Sequence, residues 1–339
     1  MLEKKEIEAL YLLNSIEKKH TAVSFSGGKD SLVSLHLSVR AGIKTAVFSD
    51  TTIEPKGLID YVKNISSILN INIYILKPIK TFWELLPLLG PPSTNNRWCC
   101  PTLKYYQLNM FAKEKNIKYY ITGLRKTESK ARNKYSIYGK NPMIPFVTEV
   151  NPIIDWTEEE VWNYIEKYSL PVSEEYAQGL NRNGCIFCPY KTPNELEKMA
   201  KLEPDEWKKY EEFLRLFAIN MQIPDPDSFV KNGWRTFKFP QRKIMIKTND
   251  LINVDISLEK IIDEYTPQKV KKILKEKSVN CIGCGACIPL CSKDALKLTH
   301  GKIDVDPNKC SKCYDCTSSK YIREGCISRN YSISLYIFD

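Results

Sequence analysis

The sequence predicts an α/β protein on a parallel sheet followed by a small α+β unit, and three observations predict it. From residue 21 onward, short β-branched runs alternate with segments of helical periodicity, the signature of βαβ units. A glycine-rich turn joins the first such run to the next helix. Most of the cysteines crowd into two runs near the C-terminal end.

The elements follow in order. Residues 1–20, MLEKKEIEALYLLNSIEKKH, form a charged amphipathic helix without the apolar core of a signal peptide. Thr21–Phe25, Thr45–Ser49, Ile71–Leu76 and Tyr119–Thr122 read as buried strands. Leu58, Val62, Ile65 and Leu69 recur at helical spacing, and Gly42 stops a helix over Asp30–Ala41. Thr157 and Glu160 make a capping-box pair ahead of Val161, Trp162, Tyr164 and Ile165. Pro224–Asp227 reads as a loop, and Thr248–Gln268 as a linker with some structure of its own.

At 339 residues the chain has room for two cores. Its 43% hydrophobic and 27% charged residues exclude disordered and fibrous classes. No apolar run approaches the roughly 20 residues that span a bilayer, so the expected location is the cytoplasm, with no membrane partner. The formal net charge of +10 points to anionic partners, a nucleotide or a nucleic acid. Three four-thiolate cubanes at about −2 each would reduce that charge to about +4 and weaken the case for nucleic acid.

Ser26-Gly27-Gly28-Lys29-Asp30-Ser31 lies between the first strand and a helix. Two glycines allow a tight turn with inward N–H groups, and the helix N-terminus adds partial positive charge, which together cradle a phosphate. It is not a Walker loop, because Val23 stands where that motif needs glycine.

The twelve cysteines fall as Cys99-Cys100, Cys185-x2-Cys188, Cys281-x2-Cys284-x2-Cys287-x3-Cys291 and Cys310-x2-Cys313-x2-Cys316-x9-Cys326. Disulfides rarely persist in the cytoplasm, so this content indicates metal or redox chemistry. The three histidines, His20, His36 and His300, lie away from the cysteine pairs, which argues against mixed Cys/His zinc fingers. The tight run from Cys281 has bacterial ferredoxin spacing, in which the fourth cysteine serves the other cluster. Cys291 is therefore expected with Cys310, Cys313 and Cys316, and Cys326 with Cys281, Cys284 and Cys287. The second run is irregular, with nine residues before Cys326, and Ser292 replaces the usual proline after Cys291.

Five ordered motifs over about residues 20–190 resemble the phosphoadenylyl-sulfate and adenylyl-sulfate reductase branch of the adenine nucleotide α-hydrolase superfamily. They are the Ser26–Ser31 loop, Asp50-Thr51-Thr52-Ile53-Glu54, Cys99-Cys100 with Lys104, Gly123-Leu124-Arg125-Lys126-Thr127-Glu128-Ser129-Lys130-Ala131-Arg132, and Asn151-Pro152-Ile153-Ile154-Asp155-Trp156-Thr157. The resemblance implies an adenine nucleotide α-hydrolase-like domain over 21–245, a linker over 246–272 and a ferredoxin-like domain over 273–339. It also implies nucleotide contacts from Ser26 to Ser31, from Asp50 and from Gly123. Lys29, Lys104, Arg125 and Arg132 are the implied catalytic set. Arg125, Lys126 and Arg132 follow a strand end, where open parallel sheets bind ligands, although a solvated basic face would look the same. Asp30 and Asp50 are candidates either for magnesium on the phosphates or for helix caps.

Cys99, Cys100, Cys185 and Cys188 suit zinc as well as iron by spacing alone. The resemblance favours a [4Fe-4S] cluster there, for three clusters in all. Three functions follow. The first is reduction of a sulfonucleotide to sulfite, with an external donor feeding the ferredoxin-like clusters. The second is an ATP-dependent sulfurtransferase acting on tRNA or another acceptor. The third is a non-catalytic electron-transfer or regulatory module. The Glu-Cys-Gly segment usual in the reductases does not occur, and Leu103 replaces an arginine often found there.

Overall fold

The computed structural model describes residues 2–129, 132–181, 183–238, 258–279 and 281–317. Cys326, Lys130, Ala131 and residues 246–257 of the expected linker lie outside them. In chain order the elements begin with α1 (Leu2–Asn14), β1 (Thr21–Ser24), α2 (Lys29–Arg40), β2 (Thr45–Ser49), α3 (Leu58–Ile68) and β3 (Asn72–Leu76). Next come α4 (Phe82–Leu89), α5 (Tyr106–Glu114), β4 (Tyr119–Ile121), β5 (Tyr138–Lys140) and β6 (Thr148–Val150). The helices α6 (Glu158–Lys167), α7 (Glu174–Ala177), α8 (Pro193–Leu202), α9 (Pro204–Asn220), α10 (Pro226–Lys231) and α11 (Gln268–Val279) precede the hairpin β7 (Leu296–Thr299) and β8 (Lys302–Val305).

Contacts divide the chain into two units: Met1–Lys77, Gln107–Cys188 and Asn194–Glu203 form the first, and Pro78–Tyr106, Pro189–Pro193 and Pro204–Asp339 the second. The first holds a six-stranded sheet in the order β3-β2-β1-β4-β6-β5. Every neighbouring pair is parallel except β5 with β6, which pairs antiparallel through Gly139↔Glu149. From β1 the chain runs outward to β2 and β3 on one side and later to β4 and β6 on the other. This reversal beside β1 places the carboxyl end of β1 where open α/β sheets bind ligands.

The sequence explains these elements. In α2, Leu32, Val33, Leu35 and Leu37 are buried and pack with Val23, Phe48, Ile121 and Tyr164. At the start of α6 the Thr157 N–H donates to Glu160 Oε2 (2.7 Å) and the Glu160 N–H to Thr157 Oγ1 (3.1 Å), the expected reciprocal cap. Two expectations need correction. The third strand is not buried: β3 is an edge strand with Tyr74 41% exposed, because nothing pairs with its outer side among the described strands. Pro224–Asp227 is not all loop: Asp225 Oδ1 accepts the Ser228 N–H (2.9 Å) and starts α10.

Helix α1 is tied down by Glu6, whose carboxylate accepts from Arg40 (2.5 Å), Lys167 (3.0 Å) and the Tyr168 hydroxyl (2.5 Å). Burial raises the Glu6 pKa, but these three donors outweigh it and bring it down to about 2.

In the second unit Phe82 stacks on Trp98 (5.4 Å between rings), and the Trp98 indole N–H donates to the Gly90 carbonyl (2.9 Å). Its C-terminal part is a small α+β arrangement. Leu274 of α11 packs with Leu296, Ile303 and Val305 of the hairpin, and Cys281, Cys287, Cys291, Cys310 and Cys316 border that core.

His36 generates a prediction. Burial first, then the nearby Arg40 charge, lower its pKa from 6.5 to about 4, and its Nδ1 lies 2.9 Å from the Tyr164 hydroxyl. A folded value below the unfolded one means that its contribution is fully present above about pH 6.5 and is lost as pH falls towards about 4. Urea midpoints measured from about pH 7.5 to about 5.5 should fall less steeply for His36→Asn than for the wild type. Parallel slopes would show that His36 does not titrate in this window.

Candidate functional site

The turn after β1 is closed by its own side chains. Ser31 Oγ receives the Ser26 N–H (3.2 Å), lies 3.0 Å from Ser26 Oγ and donates to the Gly28 carbonyl (2.8 Å). Gly27 has φ +78°, and a Cβ there would meet Leu58 Cδ1 at 2.7 Å. Gly28 is the N-cap of α2 and offers no side-chain cap, and the first N–H of the helix, that of Lys29, is taken instead by the Tyr176 hydroxyl.

Gly123 follows β4 and presses on the same helix end. A Cβ there would come within 2.5 Å of both the Asp30 carbonyl carbon and the Ser31 nitrogen, which are backbone atoms that cannot swing away. This approach delivers Arg125 to the phosphate turn. Arg125 is 3% exposed, and its Nε donates to Asp30 Oδ1 (2.5 Å) and its Nη1 to Thr127 Oγ1 (2.8 Å). Lys126 continues the strand end by donating its N–H to Ile154 O (2.9 Å) and its ammonium to Asp155 (2.7 Å). Arg132 pairs with Glu128, whose Oε2 also accepts the Arg125 N–H (3.0 Å).

Lys29 is 4% exposed. Its Nζ lies 3.4 Å from Asp30 Oδ2, 3.3 Å from Glu158 Oε1 and 3.3 Å from the Asn181 carbonyl, and 5.6 Å over the Tyr176 ring. The Tyr176 hydroxyl accepts the Lys29 N–H (2.9 Å), and burial raises that phenol's pKa to about 12, so it stays protonated and neutral. Asp30 is thus shared by Lys29 and Arg125, which lie side by side. Its oxygens are committed to two cations, and it does not cap α2. Asp50 Oδ1 accepts the Thr52 N–H (2.8 Å) and closes an Asx turn at the end of β2 instead of capping a helix.

The first unit carries Cys185 and Cys188, and the second carries Cys99 and Cys100. Cys185 Sγ lies 3.3 Å from Thr51 Oγ1, in the acidic turn after β2. Cys100 opens a π-helical turn, Cys100–Tyr105, that runs directly into α5. A hydrogen bond with Cys99, then the charges of Arg97 and Lys104, lower the Cys100 pKa to about 5 despite burial. The Arg97 Nη2 lies 3.4 Å from its sulfur. Such a thiolate is ready to ligate a metal.

In the C-terminal part, Cys291, Cys310, Cys313 and Cys316 line one cavity, whose other walls include Ile261, Ala295, Leu296 and Val305. This is the quartet expected from the spacing. The Ile303 N–H donates to Cys281 Sγ (3.1 Å) and the Lys312 N–H to Cys310 Sγ (3.4 Å), the kind of donor that stabilises metal-bound thiolate. Among the described residues no three Cys, His, Asp or Glu side chains are placed to share one ion. A cubane differs in needing four sulfurs spread around a cavity, and the residues at this cavity fit it.

Residues 20–191, just over half of the chain, match the family described as the phosphoadenosine phosphosulfate reductase domain. The chain belongs to this family. It is similar to an uncharacterised protein of Methanocaldococcus jannaschii, 32% identical over 250 residues, which cover 73% of this chain and 59% of that protein. The chain therefore spans less than two thirds of that relative. It is also similar to an adenosine 5'-phosphosulfate reductase of Bacillus mycoides, 29% identical over 179 residues, covering 50% of this chain and 74% of the enzyme. The solved phosphoadenylyl-sulfate reductase of Candida auris, in a phosphate complex, superposes with TM-score 0.44 at 17% identity, covering 54% of this chain and 93% of that one.

Sequence reasoning missed Tyr176, Glu158 and Asn181 around Lys29. Tyr176 lies on the single-turn helix α7 and Glu158 in the acidic first turn of α6, so neither carried a local signal. Gly123 supplies the test of this site within the family fold. Gly123→Ala should destabilise the protein by about 1–3 kcal/mol through overpacking and weaken adenine-nucleotide binding, read by thermal unfolding and calorimetric titration. Gly139→Ala is the control, since its nearest Cβ contact would be an ordinary 3.7 Å. Equal behaviour of the two variants would refute the steric argument.

Proposed function

We propose that this chain is an iron–sulfur enzyme that holds an adenylyl nucleotide in the Ser26–Ser31 turn and reduces a sulfonucleotide to sulfite. The observation that supports this most is the cradle: a glycine-rich turn at a helix N-terminus, with Lys29 and Arg125 buried beside it and oriented by Asp30. In a member of the phosphoadenosine phosphosulfate reductase family this arrangement suits a phosphosulfate anhydride.

Adenylyl sulfate plus two electrons gives AMP and sulfite, and the 3'-phosphorylated substrate gives the corresponding bisphosphate. The turn's N–H groups and Lys29 neutralise the departing phosphate, the general means by which such sites lower a barrier. Arg125, beside Lys29 on the shared Asp30, and Arg132 are the cations proposed for the adjoining sulfonyl group, and Lys104 sits one turn beyond Cys100. Cys99, Cys100, Cys185 and Cys188 would hold one [4Fe-4S] cluster, Cys281, Cys284, Cys287 and Cys326 a second, and Cys291, Cys310, Cys313 and Cys316 a third, in a ferredoxin-like domain. Bound clusters supply electrons one at a time from an external donor.

A second reading rests on the intact Gly28-Lys29-Asp30 turn, which equally suits ATP cleaved between its α and β phosphates, and on the assignment of all twelve cysteines to clusters, which leaves none as sulfur nucleophile. This reading is a sulfurtransferase that adenylates tRNA or another acceptor.

Parallel assay of sulfite and pyrophosphate decides between them. The reduced wild type should release sulfite from one sulfonucleotide and no pyrophosphate from ATP. Lys29→Ala should weaken nucleotide binding about 10- to 150-fold, from the roughly 1.5–3 kcal/mol of one charged hydrogen bond. Pyrophosphate from ATP plus acceptor, with no sulfite from either sulfonucleotide, would establish the sulfurtransferase. Anoxic protein should contain about twelve iron per chain, and Cys99→Ser with Cys188→Ser should remove about a third. Stoichiometric zinc in the wild type would reject the three-cluster assignment.

A further inference from the structure

Lys277 is a lysine the nucleotide site does not use. It lies on α11, is 3% exposed, and its Nζ donates to the Cys316 carbonyl (2.9 Å). Cys316 is one of the four sulfurs around the apolar-walled cavity. We infer that Lys277 is a redox-tuning residue, whose buried ammonium stabilises the reduced state of a [4Fe-4S] cluster held by Cys291, Cys310, Cys313 and Cys316.

The argument is electrostatic and rests on the cluster assignment proposed above. The Lys277 ammonium is buried and donates to the backbone of Cys316, and four thiolates bridged by iron would supply a net negative charge beside it. One-electron reduction makes that charge more negative by one unit, so a fixed cation favours the reduced form. Ile261, Ala295, Leu296 and Val305 keep water from one side of the cavity, and low polarity lengthens the reach of the charge.

The test is a potentiometric titration of the full-length, anoxically prepared protein, followed by electron paramagnetic resonance, for wild type, Lys277→Gln and Lys277→Arg. At full iron content, Lys277→Gln should make one cluster at least tenfold harder to reduce, which is about 59 mV for one electron, and leave the other transitions in place. Lys277→Arg keeps the charge and should keep the potential. Unchanged transitions in an iron-replete Lys277→Gln protein would overturn the inference and leave the cluster assignment standing. Equal shifts in both variants would also overturn it, by pointing to packing instead of charge. Should Lys277→Gln bind less iron, the Arg variant decides: an unmoved midpoint upholds the inference and a moved one rejects it. Wild type with iron for only one cluster would instead refute the cluster assignment, and this inference with it.

Discussion

The site depends on one close approach. Gly123 brings the backbone after β4 against the first turn of α2, with no room between them for a methyl group. A side chain at that position would separate the two segments that carry the site's charge: Lys29 and Asp30 on the helix, Arg125 and Lys126 on the strand end. The parallel pairing of β1 with β4, Ala22 opposite Tyr120, brings the two segments side by side, and the missing side chain lets them touch.

What the approach creates is a compact set of opposite charges. Asp30 bridges Lys29 and Arg125, and Glu128 holds the Arg125 backbone and the Arg132 side chain. Each cation is thereby oriented before any ligand arrives. Preorganised charge of this kind is what stabilises a developing anion, because no energy is spent turning the groups at the moment of reaction. Tyr176 completes the arrangement from another part of the chain: its neutral hydroxyl accepts the Lys29 N–H while its ring lies under the ammonium.

Much of this was legible in the sequence, for identifiable reasons. The strands β1, β2 and β4 declared themselves because a sheet covered on both faces needs continuous β-branched runs. The turn declared itself through its two glycines, and the start of α6 through a reciprocal Thr–Glu pair. The edge position of β3 was not legible, because its run Asn72–Leu76 is as apolar as a central strand while its exposure depends on which strands pair with it. The short strands β5 and β6 hold three residues each, too few for a period to show. Within the site, the residue types were foreseen but their partners were not. Asp30 read equally well as a cap or a metal ligand, and only the register of β1 with β4 gave it to Arg125. Glu158, Tyr176 and Asn181 reach Lys29 across more than 125 positions of sequence, a separation at which no local motif operates. The grouping of Cys291, Cys310, Cys313 and Cys316 at one cavity followed the cysteine spacing, because residues so close in sequence stay close on a small core.

The enclosure of Lys29 shapes how the turn would select among anions. Its ammonium is already flanked by two carboxylates, of which Glu158 is 60% exposed and Asp30 is held in place by Arg125. An arriving phosphate group does not meet a bare charge. It takes over the position of the looser carboxylate, and one ion pair is exchanged for another. The gain is then a difference between two attractions of similar size, so a weakly or singly charged anion has little to gain by entering. A polyphosphate or phosphosulfate chain, with several oxygens to offer the N–H groups of the turn together with the ammonium, has much more. The acidic neighbours of Lys29 would thus act as a threshold that favours ligands dense in negative charge over simple salts.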